Sequence, residues 1–217
     1  MKLYHYYRSS AAYRVRIALN LKGIPWETAL VDLRAPRSTQ HTPEFRALNP
    51  QGLIPVVADG DTVITQSLAI IEYLEETHPQ PPLLPASAPD RAQVRSLALA
   101  IACDIHPLGN LRVLNYLRST FKADENAVIA WVGEWISSGF RALEERVERT
   151  SGDGRHMVGS VVTLADVCIV PQMYNARRYQ CDVQPFPRLR AICAHLETLP
   201  AFVRAAPAAQ PDAPQSS

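Results

Sequence analysis

Cysteine is scarce in this chain, and the four that occur, Cys103, Cys168, Cys181 and Cys193, form no Cys-x-x-Cys pair. Neither a disulfide framework nor a thiolate metal site is supported, and the default for such residues is that of small buried hydrophobes. The six histidines are scattered, without a His-x-His or His-x-x-x-His spacing, so no metal centre is expected. No run approaches the ~20 apolar residues of a membrane span, and the N-terminus lacks a charged segment followed by an apolar core. Excess charge is missing too. Lys and Arg number 22 against 21 Asp and Glu, giving a net charge of +1, which implies no nucleic-acid or other polyanionic partner. These absences lead to the expectation of a cytoplasmic protein with no membrane partner.

What remains is ordinary globular material: 217 residues, 47% hydrophobic and 20% charged, enough for one large domain or two small ones. The first third alternates strand and helix signals. Lys2–Tyr7 (KLYHYY) suits a strand. Ser9 and Ser10 then stand at a turn before Val15, Ile17 and Leu19, a helix that stops near Lys22-Gly23. Trp26–Leu33 reads as a second strand, and Glu44–Leu48 as a short helix. Asp59-Gly60 lies between apolar runs as in a hairpin. Gln66–His78 carries Leu68, Ile70, Ile71 and Leu74 on a helical face. The order β-α-β-α-β-β-α points to a small α/β sandwich.

Two helix starts in that unit contain serine. A serine cap leaves backbone N–H groups and the positive end of the helix dipole facing outward, where a thiolate or carboxylate can sit. Taken alone, each serine is read as a helix cap and nothing more. Pro55, ahead of an apolar strand, is a candidate cis-proline that would turn the backbone of Ile54 toward a peptide-like ligand, although trans is the commoner state of such bonds.

Pro79–Pro89 (PQPPLLPASAP) has the composition of a linker. Beyond it the pattern is helical: Asp90 to about Thr120, interrupted near His106-Pro107-Leu108-Gly109; Asp124–Thr150, ended by SGDG; and a helix opened by Thr163-Leu-Ala-Asp166, which has the form of a capping box and a structural role. Pro187–Leu199 is a further helix, and the Ala/Pro-rich tail from Ala205 reads as loose.

In RSSAAYRVRIAL (Arg8–Leu19) the chain resembles the zeta-class signature of the cytosolic glutathione transferases. NPQGLIPVV, QSLAIIEYLEETHP, DIHPLGNLRVL, TLADVCIVPQ and AAQPDAP are similar to zeta-class segments in the same order. The resemblance implies an α/β N-terminal thioredoxin-like domain, residues 1–82, a linker at 83–89, and an all-α C-terminal helical domain, residues 90–217. It implies glutathione as cofactor, a small dicarboxylate substrate, a homodimer, and cis-trans isomerisation of maleylacetoacetate, with maleylpyruvate as the alternative. A glutathione-conjugating transferase and a non-catalytic glutathione-binding protein are further alternatives, disfavoured by the retained serines, Gln66 and the arginines.

Residue by residue, the resemblance places Ser9 and Ser10 at the glutathione sulfur, Gln66 and Ser67 at the γ-glutamyl carboxylate, and Ile54 at the cysteinyl backbone. Gln40 and His41 fall near the glycine end, and Asp104, His106 and Asn110 on the wall contributed by the second domain. Arg8 and Arg178, with Arg112 third, are the candidates for holding substrate carboxylates, since a guanidinium stays charged and binds them bidentately. Arg14 and Arg16 fit a surface charge or interdomain salt bridge better. Two positions depart from the signature. Ala11 replaces its cysteine and Tyr13 its tryptophan, so the turn offers no thiol of its own and a bound thiol must serve.

Overall fold

The structure, a computed structural model, describes residues 1–34 and 38–214. It divides into two compact units: residues 1–82 together with the C-terminal segment from Leu199, and residues 83–198.

In the first unit four short strands, β1 (Lys2–His5), β2 (Glu27–Leu30), β3 (Val56–Asp59) and β4 (Thr62–Thr65), form one sheet in the order β2-β1-β3-β4. β1 pairs parallel with β2 and antiparallel with β3, and β3 turns into β4 through Gly60-Asp61, with Gly60 at φ +57°. The helices are α1 (Ser10–Lys22), α2 (Pro43–Leu48) and α3 (Ser67–Thr77). α1 ends on Gly23 at φ +65°, whose N–H bonds back to the helix carbonyls, as the Lys-Gly stop predicts. The expected element order is present. Val31, Phe45 and Val56 make one core cluster, with Tyr4, Leu33 and Ile54 against it.

α1 is buried almost all round, at Ser10 and from Ala12 to Leu19, which is the pattern of a central helix and not of an amphipathic surface one. Arg14 and Arg16 lie within that stretch at 1% and 0% exposure, so the expectation of a surface charge is overturned. Arg16 is anchored instead on the backbone carbonyls of Tyr7 and Ala205, both at 2.9 Å. Such anchors are invisible in a sequence, because every residue carries a carbonyl.

The C-terminal segment also departs from expectation. The helix Pro200–Ala205, α9 in chain order, packs on α1 in the first unit, with Phe202 1% exposed and Asn20 donating to the Ala201 carbonyl at 3.0 Å. As far as Pro214 the stretch after Ala205 is not loose: a 3₁₀ turn, Pro207–Ala209, follows, and Asp212 accepts the Tyr7 N–H at 2.9 Å; residues 215–217 of that expected tail lie outside the described residues.

In the second unit α4 (Ala88–Leu99) continues into a π-helical turn, Ala100–Ile105, and a 3₁₀ turn, His106–Gly109, before α5 (Leu111–Thr120). By length and composition Ala88–Thr120 is apolar enough to cross a membrane, but the π turn and Pro107 break it and Asp104 and Arg112 lie inside it. α6 (Glu125–Thr150) is capped by Asp124, and α7 (Leu164–Arg178) by the expected box, in which Asp166 accepts from the Thr163 N–H and hydroxyl and from the Met157 N–H. α8 (Pro187–Leu196) starts on Glu144, whose carboxylate accepts the Arg188 and Leu189 N–H groups. Leu83 and Leu84, expected in the linker, are buried in this unit, and Leu83 accepts the Leu164 N–H. Cys168 and Cys193 are buried as expected, whereas Cys181 is half-buried and Cys103 is exposed on the π turn.

Candidate active site

Two helix N-termini are brought side by side in the first unit. Arg14 of α1 donates to the Ser67 hydroxyl of α3 at 3.3 Å, and Lys22 of α1 pairs with Glu75 of α3 at 2.7 Å. The two contacts are eight residues apart on either helix, so α1 and α3 run parallel with their positive ends together. That end of the unit favours anions, and it offers two places for them.

At the first place Ser9 is the N-cap of α1. It has extended backbone, φ −68° and ψ 117°, and its Oγ accepts the Ala12 N–H at 3.2 Å. Since the oxygen is already an acceptor toward the helix, the hydroxyl proton is left to donate outward. Ser10 is buried in the first turn, and Arg8 is exposed beside Ser9. The neighbouring Tyr6 phenol is pushed up to about 12, chiefly by burial, so it stays protonated.

At the second place Gln66, and not Ser67, occupies the N-cap of α3. It makes no side-chain cap bond and holds φ +70°, ψ 119°, a region that non-glycine residues rarely enter. Its amide donates to Gln51 Oε1 at 3.2 Å. Ser67 is the first helical residue, and its hydroxyl is taken by Arg14.

Ile54 precedes a cis Pro55, and among the described residues it makes no backbone–backbone hydrogen bond. Gln40 is 6% exposed, and its Oε1 has no partner among the described residues; its amide nitrogen lies 3.2 Å from His41 Nε2. Gly52, at φ +63°, closes this corner. A Cβ there would stand 3.0 Å from the Gln40 carbonyl and 3.1 Å from His41 Nδ1. Gly52 therefore packs its backbone directly against Gln40 and His41, and Gln40 Oε1 stays without a partner among the described residues.

The remaining candidates sit in the second unit. Asp104 is exposed on the π turn, and His106 is half-buried where the 3₁₀ turn begins. Asn110 caps α5, accepting the Arg112 N–H at 3.1 Å, and Arg112 is exposed. His106 lines a cavity with Trp135, Gln172, Asn175 and Tyr179. Gln172 is 2% exposed with Oε1 unpartnered among the described residues. Arg178, exposed at the end of α7, lays its guanidinium over the Tyr179 ring, 4.3 Å from the centroid. Asp104, His106, Asn110 and Arg112 thus follow one another along the broken helix, and Arg178 adjoins the wall that His106 shares with Tyr179.

The sequence reading missed Arg14, Gln51, Gly52 and Gln172. NPQG carried a signal for two of them, a glutamine beside a glycine ahead of the proline. Charged residues inside the apolar run of α1 carried a signal for Arg14.

Residues 3–82 match the family model for Glutathione S-transferase, N-terminal domain. The probable maleylacetoacetate isomerase of Vibrio cholerae is 50% identical over 211 residues, 97% of either chain. The maleylpyruvate isomerase of Ralstonia sp is 51% identical over 212 residues, 98% of this chain and 99% of the relative. A crystal structure of maleylacetoacetate isomerase from Methylobacterium extorquens AM1, with bound malonate and GSH, is similar at a TM-score of 0.94 and 41% identity, covering 99% of this chain and 100% of its own.

Proposed function

The chain belongs to the zeta-class glutathione transferases, the family of the maleylacetoacetate and maleylpyruvate isomerases, and we propose that it is a glutathione-dependent cis-trans isomerase of an unsaturated dicarboxylic keto acid, with maleylacetoacetate as substrate. The observation that carries the reading is the pairing of two parallel helix N-termini, one capped by Ser9 and the other opened by Gln66 at positive φ.

Glutathione fits the residues present. Gln40 Oε1, beside Gly52, has no partner among the described residues, and among them Ile54 leaves its backbone donor and acceptor without a loop hydrogen bond. Gln66, Ser67 and the N–H groups of α3 would hold the γ-glutamyl carboxylate, Ile54 the cysteinyl peptide, Gln40 and His41 the glycine end, and Ser9 and Ser10 the sulfur. Asp104, His106 and Asn110 are proposed as further contacts from the helical unit. Bound there, glutathione supplies a thiolate able to add reversibly to an alkene beside a carbonyl, turning a bond that cannot rotate into one that can.

The chain's part is to make that thiolate and hold the acid. Ser9 donates its hydroxyl proton toward sulfur, and the α1 N-terminus adds its positive end, the arrangement that lowers thiol pKa values at helix starts. The sequence has no cysteine before Cys103, so no protein thiol competes in this unit. Arg8 and Arg178, with Arg112 third, are the proposed residues for holding substrate carboxylates, since a guanidinium is a planar, permanently charged fork. The cation–π contact with Tyr179 helps to hold the Arg178 guanidinium. The protein is further proposed to act as a cytoplasmic homodimer.

Maleylpyruvate is a second reading, favoured by the 51% identity to the Ralstonia enzyme. Leu111, exposed at the start of α5, adds no charge where another arginine would shorten the acceptor site, and this favours the longer acid. The test is turnover of maleylacetone, a stable surrogate, beside maleylpyruvate, in wild type and in Arg8→Ala and Arg178→Ala. The reading expects faster turnover of maleylacetone and a loss in both variants. Preference for maleylpyruvate would move the assignment to the shorter acid, and unaltered turnover in both variants would remove the arginines from the site.

A further inference from the structure

We propose that Asp212 is a positioning residue: from the C-terminal segment it fixes the backbone of the turn that presents Ser9. The inference rests on the reading of Ser9 as the residue facing the glutathione sulfur.

The turn needs fixing from outside. β1 is paired with β3 only as far as Tyr4 and with β2 as far as His5, whose carbonyl accepts the Val31 N–H at 2.8 Å. Past that point the chain leaves the sheet, and its backbone groups require other partners. Ser9 N–H closes the turn on the Tyr6 carbonyl at 3.0 Å. Arg16 holds the Tyr6 and Tyr7 carbonyls from behind, at 3.4 and 2.9 Å. The Tyr7 N–H is met by Asp212 Oδ2 at 2.9 Å, across 205 residues of sequence. A carboxylate acceptor makes this the stronger, charge-assisted kind of bond.

Asp212 is itself held in place. Arg16 Nε donates to the Ala205 carbonyl and Asn20 to the Ala201 carbonyl, which ties the segment to α1. Gln210 donates to the Arg204 and Ala206 carbonyls at 2.9 and 3.0 Å, which sets the bend that returns the chain toward Tyr7. One buried guanidinium thus spans the turn and the segment, and Asp212 closes the circuit through the Tyr7 N–H. As a charge alone, a carboxylate near the turn would oppose a thiolate. Its service is therefore geometric, and the two contributions can be separated.

Asp212→Ala removes the acceptor and the charge, whereas Asp212→Asn removes the charge and keeps an oxygen for the Tyr7 N–H. The readouts are kcat with maleylacetone, KM for glutathione, and the ultraviolet titration of the bound glutathione thiol, each on protein shown to be folded by thermal unfolding. Because displacements of about 1 Å in a reacting constellation cost up to about a hundredfold, Asp212→Ala is expected to lose about tenfold or more in kcat. The bound thiol should titrate at higher pH, and KM for glutathione should change little because its other end is held at α3. Asp212→Asn is expected to restore kcat and the titration. An Asp212→Ala variant that matches wild type in both readouts would overturn the proposal. So would an Asp212→Asn variant as impaired as Asp212→Ala, since the effect would then be one of charge. A wild type that binds glutathione without lowering its thiol pKa would instead show that the Ser9 assignment has failed.

Discussion

His5 makes the polar anchor beneath the Ser9 turn measurable as a pH dependence. The residue is 0% exposed on β1, and its Nδ1 lies 3.4 Å from a nitrogen of Arg16, which donates to it. Burial, and then the Arg16 charge, depress the imidazole from 6.5 to about 4, with Asp212 acting weakly the other way. In the unfolded chain the ring takes up a proton near its ordinary value; in the folded protein it does not until the pH falls much lower. The unfolded state therefore binds more protons across that window, and stability falls as pH falls through it. With 6.5 unfolded and about 4 folded, linkage gives a loss of about 2 kcal/mol between pH 7 and pH 5. The perturbation is His5→Gln, which keeps a polar group beside Arg16 but does not titrate. Urea unfolding of both proteins at the two pH values isolates the histidine, since every other titrating group is common to them. Wild type should lose about 2 kcal/mol more than the variant over that interval. Parallel pH dependences would refute the placement of a neutral imidazole against Arg16.

Other expectations are equally concrete. Ser9→Ala should lower kcat on the order of a hundredfold, as losing one donor to a developing anion does, with about 1 kcal/mol of stability lost with the cap; a variant of undiminished kcat would remove Ser9 from the chemistry. Gly139→Ala, on α6, drives a Cβ into the Ile105 side chain at the end of the π turn. It should cost about 1–3 kcal/mol in urea unfolding, and Ile105→Ala in the same chain should recover part of that, because the clash is with a side chain and not with backbone.

The local features of the fold were legible because each had a local chemical cause. Gly23 stops α1, Gly60 turns the hairpin, Asp124 caps α6, and the Thr163–Asp166 box opens α7. What escaped were the long-range assignments. Nothing in PAFVRAAPAAQPDAP says that it docks on α1, since Asn20 and Arg16 hold it by the Ala201 and Ala205 carbonyls, 181 and 189 residues away, and any sequence offers carbonyls. For the same reason Arg16 reads as a surface charge, while the partner of Arg14, the Ser67 hydroxyl, lies 53 residues away. The π turn escaped because its extra residue leaves the apolar pattern unbroken, and Pro107 marked only where the interruption ends. Within the candidate site, the serines and the proline after Ile54 stood out by residue type, whereas Gln66 came only from the resemblance. The link between the two helix starts, made by Arg14 and Ser67, is visible only in three dimensions.

The most direct test of the account is isomerisation of maleylacetone by the full chain with glutathione, compared with the same tripeptide bearing a methyl group in place of the thiol. The account predicts turnover with glutathione and none with the analogue, which should bind and inhibit competitively. Turnover supported by the analogue, or none with glutathione although it binds, would contradict the claim that these helix ends exist to make and use a thiolate.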